Sequence, residues 1–597
     1  MVAIVVRSAP RTHTLWWLPI ILALIVLIAG ATALMASGRT TTPDLRERIV
    51  SNLRRLTGLP AWCAAAIAVA LWALVVAVVG FVWDVSWHAD LGRDKALFTP
   101  AHTMILVGLA GIGIAALAAI VVATWEQAAV GFGLGRIRVP WSAVPLGLMS
   151  AGAVIGFPLD DYWHKTYGID VTMWSPTHLL MIGGASLAPL ALWLMLAEAE
   201  VPAPTPPFVR MLSEVLASAT LLGLSTFQLE FDIGIPQWQA LYHPVLIVLA
   251  MGIGLLAARE ALGPGGAVRA ALGFLLLRGV LAVLVGPVFG LSTPHFPLYL
   301  GGAAVVEGVF ALNALRDRPL GRVVAGGLLL STAAMAVEWG WNHLWGLQPW
   351  QPRLLGGWWV VIAMGLVASI IGSALGRAVA HGPRLLEYRA VAAALAVLAL
   401  LLAVPYPRHG TNVTATIRAT PVGSTQLITT RDGRVAVQQA IHVTVAVSPA
   451  TALTHTDVFR VFCWQGGTLF IRPLHATGGG NYEIDGTIPT GGTWKSIVFL
   501  EKGAVVAAVP VDFPADPVYK LAAIPAPVTQ PRVAPFLPAK VFLTRESHGG
   551  NALPAILAYS GLAIVAITWL IGLVGVGEAM TRRNRFIAGT VRPAPSH

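Results

Sequence analysis

Asp84-Val-Ser-Trp87-His88-Ala-Asp90-Leu-Gly92-Arg93-Asp94-Lys-Ala-Leu-Phe98-Thr99-Pro100-Ala-His102 joins two long apolar runs. Asp160-Asp161-Tyr-Trp163-His164-Lys-Thr-Tyr-Gly168-Ile-Asp170-Val-Thr-Met-Trp174-Ser175-Pro176-Thr-His178 joins the next two. Both stretches read Asp-x3-His-x3-Gly-x-Asp-x3-(Phe/Trp)-(Thr/Ser)-Pro-x-His. An apolar run, a polar turn and a second apolar run make a membrane hairpin. A carboxylate and two imidazoles repeated at a hairpin tip are costly to place there without a role. They point to a metal site.

The wider composition agrees with a membrane fold. The chain has 597 residues, of which 56% are apolar and 11% charged, and its mean hydropathy is +0.73. A soluble domain carries about 25% charged residues. The net charge of +11 comes from Lys and Arg clustered in short loops. That is the pattern of cytoplasmic loops rather than of nucleic-acid binding. The two cysteines are Cys63 in an apolar run and Cys463 in the one long polar segment, so no Cys-based zinc or iron–sulfur site is expected. Any metal must be held by His, Asp and Glu, a donor set that suits copper, zinc, iron or manganese.

Hydropathy predicts a polytopic all-α membrane protein with thirteen spans at about 15–37, 61–83, 100–124, 140–159, 176–197, 210–230, 239–258, 267–289, 297–315, 320–341, 354–377, 385–405 and 553–577. The domains are therefore 1–405, polytopic; 406–552, extracytoplasmic; and 553–597, a final helix with a basic tail. Arg-rich loops, among them Arg46, Arg48, Arg54 and Arg55, then Arg136 and Arg138, and finally Arg582, Arg583 and Arg585, fall on one side, which is read as cytoplasmic. The first span is read as a retained helix; a signal peptide is the alternative, because Arg7 and Arg11 precede an apolar run ending in small residues. Segment 406–552 has alternating Val/Thr/Ile runs at Asn412–Ile417, Ile441–Val447 and Ser496–Leu500, separated by Gly/Asn/Asp turns. It reads as an immunoglobulin-like β-sandwich, with a Pro-rich linker over 505–540.

Asp84 and His88 are four residues apart, as are Asp160 and His164, so each pair shares one helix face. Thr99 and Ser175 are natural N-caps, followed by Pro100 and Pro176 at the first helical position. His102 and His178 then lie in the first turn of the next helix. Folding the turn back would bring each late imidazole to the Asp/His face and form a three-ligand set with open positions. Asp94 and Asp170 could orient a ligating imidazole through its second nitrogen.

This motif resembles the C subunit of the particulate methane and ammonia monooxygenase family of copper membrane enzymes. Arg93-Asp94-Lys-Ala-Leu-Phe98-Thr99-Pro100-Ala-His102 matches that subunit's turn with one extra residue, after a matching Asp-x3-His helix end. The resemblance implies copper at Asp84, His88 and His102, and by internal repetition at Asp160, His164 and His178. It covers only about 25 residues per copy. That subunit is shorter, lacks the duplication and works with partner subunits, so the resemblance also implies partner subunits or a homo-oligomer.

Three further tips look like worn copies. One carries Glu230, Asp232 and His243; another carries Glu338, Trp341 and His343; His295 lies in a third. These are weaker metal candidates. His409, His442, His455, His475 and His548 are scattered over the polar segment and read as surface residues. Arg278 and Glu307 fall near the middle of adjacent spans and are expected to pair. The leading functional expectation is a metal-binding protein of a bacterial cytoplasmic membrane, with a copper-dependent oxidoreductase as its sharper form. A copper handling, transport or assembly factor is one alternative, and a structural membrane protein with an external interaction domain is another. The residues show no haem, flavin or iron–sulfur motif, so an oxygenase would draw electrons from quinol or a partner.

Overall fold

A computed structural model describes residues 43–91, 98–168, 173–201, 204–234, 238–381, 411–429, 435–465, 468–517, 520–543, 545 and 551–590. After a surface helix, α1 (Pro43–Thr57), come α2 (Ala61–Leu91), α3 (Pro100–Glu126), α4 (Ala143–Tyr167) and α5 (Pro176–Glu198). Then follow α6 (Pro207–Asp232), α7 (Tyr242–Leu262), α8 (Gly266–Val288), α9 (Leu300–Ala311), α10 (Pro319–Trp345) and α11 (Pro352–Ala380). The last helix is α12 (Ala552–Thr590). Ten helices among the described residues are long and apolar enough to cross a membrane. Of the thirteen expected spans, 15–37 and 385–405 lie outside the described residues.

The remaining difference is α9. The expected span 297–315 is a helix of only 12 residues, or about 18 Å at 1.5 Å per residue, too short to cross the hydrocarbon core. A non-helical segment, 289–299, precedes it. Irregular backbone at such a depth persists only where its N–H groups are satisfied within the protein. Here Asp90 accepts the Ser292 N–H and hydroxyl. The Asp232 carbonyl accepts His295 N–H at 2.7 Å. Glu338 accepts the N–H groups of Leu298 at 3.1 Å and Tyr299 at 2.6 Å. Two carboxylates, Asp90 and Glu338, and the Asp232 backbone carbonyl are thus taken up by one non-helical stretch.

Close helix pairing in the two motif hairpins depends on small residues. A Cβ on Gly108 of α3 would lie 2.5 Å from the Ala77 methyl of α2, and one on Gly184 of α5 would lie 2.6 Å from the Met149 carbonyl and 2.9 Å from the Ala153 methyl of α4. Such contacts pull helix backbones together where lipid gives no hydrophobic drive. One apolar core runs through α2–α6 and a second through α6–α11.

At the helix ends away from the motifs, glutamates satisfy the exposed N–H groups of a neighbouring helix. Glu126 accepts from Ala61 and Trp62, Glu198 from Trp141 and Ser142, and Glu307 from Gly265 and Ala267. An anion at a helix N-terminus also complements its dipole.

The C-terminal region is an antiparallel sheet. Its strands are β1 (Thr414–Thr429), β2 (Val435–Ser448), β3 (Val458–Gln465), β4 (Thr468–Gly478), β5 (Asn481–Ile484), β6 (Ile488–Gly491), β7 (Lys495–Lys502), β8 (Val505–Asp512), β9 (Arg532–Pro535) and β10 (Leu537–Pro538). The hydrogen-bonded path runs β9-β1-β2-β5-β4-β3-β7-β8-β10, with β6 added on β2. Alternating residues such as Ile441, Val443, Val445 and Val447 point into the core. The expected linker 505–540 begins as β8, a buried strand paired with β7. Its continuous Val/Ala run, buried along nearly the whole strand, sets the structure there. The sheet meets the motif-bearing ends of the helices through Glu501, which accepts the Ala240 N–H. Arg353 adds a bond to the Thr456 carbonyl at 2.7 Å.

Candidate metal centres

Each motif closes on itself. Thr99 and Ser175 accept the N–H of His102 and His178 at 3.2 and 3.4 Å, with Pro100 and Pro176 opening the helices, as the spacing predicts. The caps fix the first turn of α3 and α5, and with it the direction of each late imidazole. Asp84 Oδ1 lies 3.0 Å from His102 Nε2, and its Oδ2 lies 3.5 Å from His88 Nδ1. In the second copy Asp160 Oδ1 lies 3.3 Å from His178 Nε2, and Oδ2 lies 3.5 Å from His164 Nε2. The paired imidazole rings are 5.6 and 5.9 Å apart, both edge-on.

Two groups among the described residues, Asp84/His88/His102 and Asp160/His164/His178, bring their ligand atoms within 4.8 Å of one another. The donors fit a transition metal. Two ligand atoms each about 2.1 Å from one ion, at angles near 90–110°, lie about 3.0–3.4 Å apart. In each copy the aspartate reaches one imidazole through Oδ1 and the other through Oδ2, and one donor atom per residue lies within 4.8 Å of the others. The six side chains are between 10% and 23% exposed, so the donors are largely shielded yet reachable. The two sets are separate, and Phe157, three residues before Asp160, places its ring 6.2 Å from His102.

The scaffold beneath the ligands is duplicated too, a signal that the motif reading missed. Ala77-x2-Gly80-Phe81-x2-Asp84 is repeated as Ala153-x2-Gly156-Phe157-x2-Asp160, and Gly108 and Gly184 each lie six residues beyond the late histidine. These are the positions where the two helices of each hairpin touch. The copies differ in which nitrogen the first histidine turns to its aspartate, Nδ1 in His88 and Nε2 in His164, and in the Thr177 hydroxyl, which donates to Asp160 Oδ1 at 2.6 Å where Ala101 stands at the matching position.

The other expected site residues go elsewhere. Asp94 and Asp170 lie outside the described residues. Glu230 accepts Met173 N–H at 2.8 Å and so holds the turn leading to His178. Asp232 pairs with Arg278. His243 stacks on Phe231, and its Nδ1 accepts the Trp350 indole N–H at 3.1 Å. Glu338 caps the start of α9, and His343 is turned out against Trp339. The worn tips therefore do not reproduce the three-ligand arrangement.

The expected Arg278–Glu307 pair does not form. Glu307 bonds to Arg259 at 2.8 Å, at the opposite end of α8 from Asp232. Glu307 also accepts the N–H groups of Gly265 and Ala267 at the start of α8, about three helical turns from Arg278.

No family model matches the chain, and no curated protein and no solved structure matches it.

Proposed function

We propose that this protein is a membrane metalloprotein that binds one copper ion in each Asp/His/His set. The observation that carries this is the convergence, twice, of a carboxylate and two imidazoles from two helix ends. Three protein donors leave coordination positions open, the arrangement of a site that meets a small molecule rather than one closed for structure. Copper is preferred over zinc or iron on the local motif resemblance. Bound copper would supply redox chemistry toward dioxygen, which makes an oxidoreductase the enzymatic form of this reading.

The chain's own groups would have simpler tasks. Asp84 and Asp160 supply the negative charge, the N-caps aim the late imidazoles, and Thr177 fixes one carboxylate oxygen. The Arg-rich loops at the opposite helix ends support a reading in which both centres and the sheet face the outer side of a bacterial cytoplasmic membrane.

X-ray absorption and electron paramagnetic resonance of the copper-loaded protein test the assignment. Nitrogen and oxygen ligation without sulfur, lost on replacing His88 and His164, is expected. Copper that stays bound to the double variant would refute it. Reductant-dependent oxygen consumption by the loaded protein separates an oxidoreductase from a metal-handling protein.

A further inference from the structure

Helix α12 is held on one face and bare on the other. Only 6% of its apolar stretch is buried, against 39–72% in the other nine long apolar helices. On the held face the Trp569 indole donates to the Leu148 carbonyl at 2.9 Å. A Cβ on Gly152 of α4 or Gly183 of α5 would lie 2.6 or 3.2 Å from that indole ring. Leu573 and Val576 pack with Leu194 of α5 and Val379 of α11. On the opposite face Leu557, Ile564, Ile567 and Ile571 recur at intervals of seven, three and four, so they form one stripe, and each is more than half exposed.

The path of the chain names the occupant. α7 and α11 both begin under the sheet, where Glu501 meets Ala240 and Arg353 reaches Thr456. They end together, away from the sheet, where Arg377 lies by Glu260. β1 then starts in the sheet at Thr414, so residues 382–410 return along the length of the bundle. The apolar run 385–405 would make a helix of about 31 Å at 1.5 Å per residue, matching a hydrocarbon core of roughly 30 Å. Val379 puts the end of α11 at the foot of α12. The three residues from Gly382 to Arg384 can step about 10 Å, one helix diameter. Ala392, Ala396, Ala399 and Ala403 recur at four, three and four, so they would share one face of that helix. Small residues let a helix approach its neighbour closely where lipid gives no hydrophobic drive. The apolar run 15–37 leads instead into α1, which is tied to the end of α3 by Arg54 on Glu126 and Arg46 over Trp125.

We propose that segment 385–405 crosses the membrane antiparallel to α12, seated on its bare face with the alanine stripe against Ile564, Ile567 and Ile571. α12 also steadies the second Asp/His/His set, because the Tyr559 hydroxyl donates to the Trp174 carbonyl at 3.0 Å, next to the Ser175 cap. The docked segment braces that helix from the lipid side. The docking does not depend on copper.

Disulfide trapping in the full chain, reconstituted in lipid bilayers and oxidised with iodine, tests this. Both native cysteines are buried, which leaves the introduced thiols to react. Ala396→Cys with Ile564→Cys should link within one chain, read by mass spectrometry of the digest. Ala399→Cys with Ser560→Cys, one turn along, is the second pair should the first fail to fold. Ala394→Cys, on the opposite face of the segment, should not link to Ile564→Cys; a link there as strong as from Ala396→Cys overturns the proposal. So does a link between two chains that both carry Ile564→Cys, which puts a second copy on that face. A link from Ile564→Cys to Ile25→Cys overturns it in favour of segment 15–37. An Ile564→Cys thiol that forms no link and is alkylated by a lipid-soluble maleimide overturns it in favour of lipid.

Discussion

The Thr177 hydroxyl donates to Asp160 Oδ1 at 2.6 Å, an arrangement the first copy cannot make because Ala101 replaces the threonine. The two centres are therefore unequal. A hydrogen bond behind a ligand orients it, and its loss typically weakens metal affinity about 10–100-fold. Thr177→Ala should weaken copper binding by the second set about 10-fold and leave the first unchanged. Chelator competition, with the first set silenced by His88→Ala, reads this directly.

The helix contact under the second set is equally specific. A Cβ on Gly184 meets the Met149 carbonyl at 2.6 Å, so Gly184→Leu must push α5 away from α4. Overpacking of this kind costs about 1–3 kcal/mol, and Asp160 and His178 sit on the two helices being parted. The variant should lose about one of two coppers, with a lower melting temperature. Gly279, whose added Cβ would meet nothing within 4 Å, is the control: Gly279→Leu should keep both.

Asp232 and Arg278 form a buried pair, at 0% and 4% side-chain exposure. Removing one partner strands a charge and costs about 3–5 kcal/mol. Arg278→Met and Asp232→Leu should each destabilise strongly, and the double variant should recover most of the loss in thermal melts. Exchanging the charges of Arg278 and Glu307 should give no rescue, because Glu307 belongs to Arg259 and to the start of α8.

Glu501 gives the contact between sheet and helices a pH dependence. Burial pushes its carboxyl up to about 8, with the Ala240 N–H pulling the other way. Asp457 and Arg460 are the charged groups that act on it. The folded pKa lies above the unfolded value, so the folded state holds more protons and stability falls as pH rises from about 4.5 toward 8. The melting temperature should decline over that window. Glu501→Gln, which cannot ionise, should flatten the decline.

The sequence carries much of this. The hairpins follow from apolar runs around polar turns, and the six candidate ligands from spacing and caps. The alternation of Ala, Gly and Phe beneath each site was equally visible and marks where helices touch. Other features depend on tertiary context. Hydropathy boundaries fail at α9, a 12-residue helix preceded by a non-helical stretch. That error moved Glu307 to mid-membrane and hid Asp232 as the partner of Arg278. Glu230 and Glu338 looked like ligands because an acid that binds backbone N–H groups and an acid that binds metal have the same sequence signature.

The central claim is that each motif copy holds its own ion. Copper per chain, measured by inductively coupled plasma mass spectrometry on the purified full chain after loading and removal of excess, tests it most directly. Two coppers are predicted in the intact protein, one in His88→Ala, one in His164→Ala and none in the double variant. A double variant that retains copper, or an intact protein that binds none, would contradict the account.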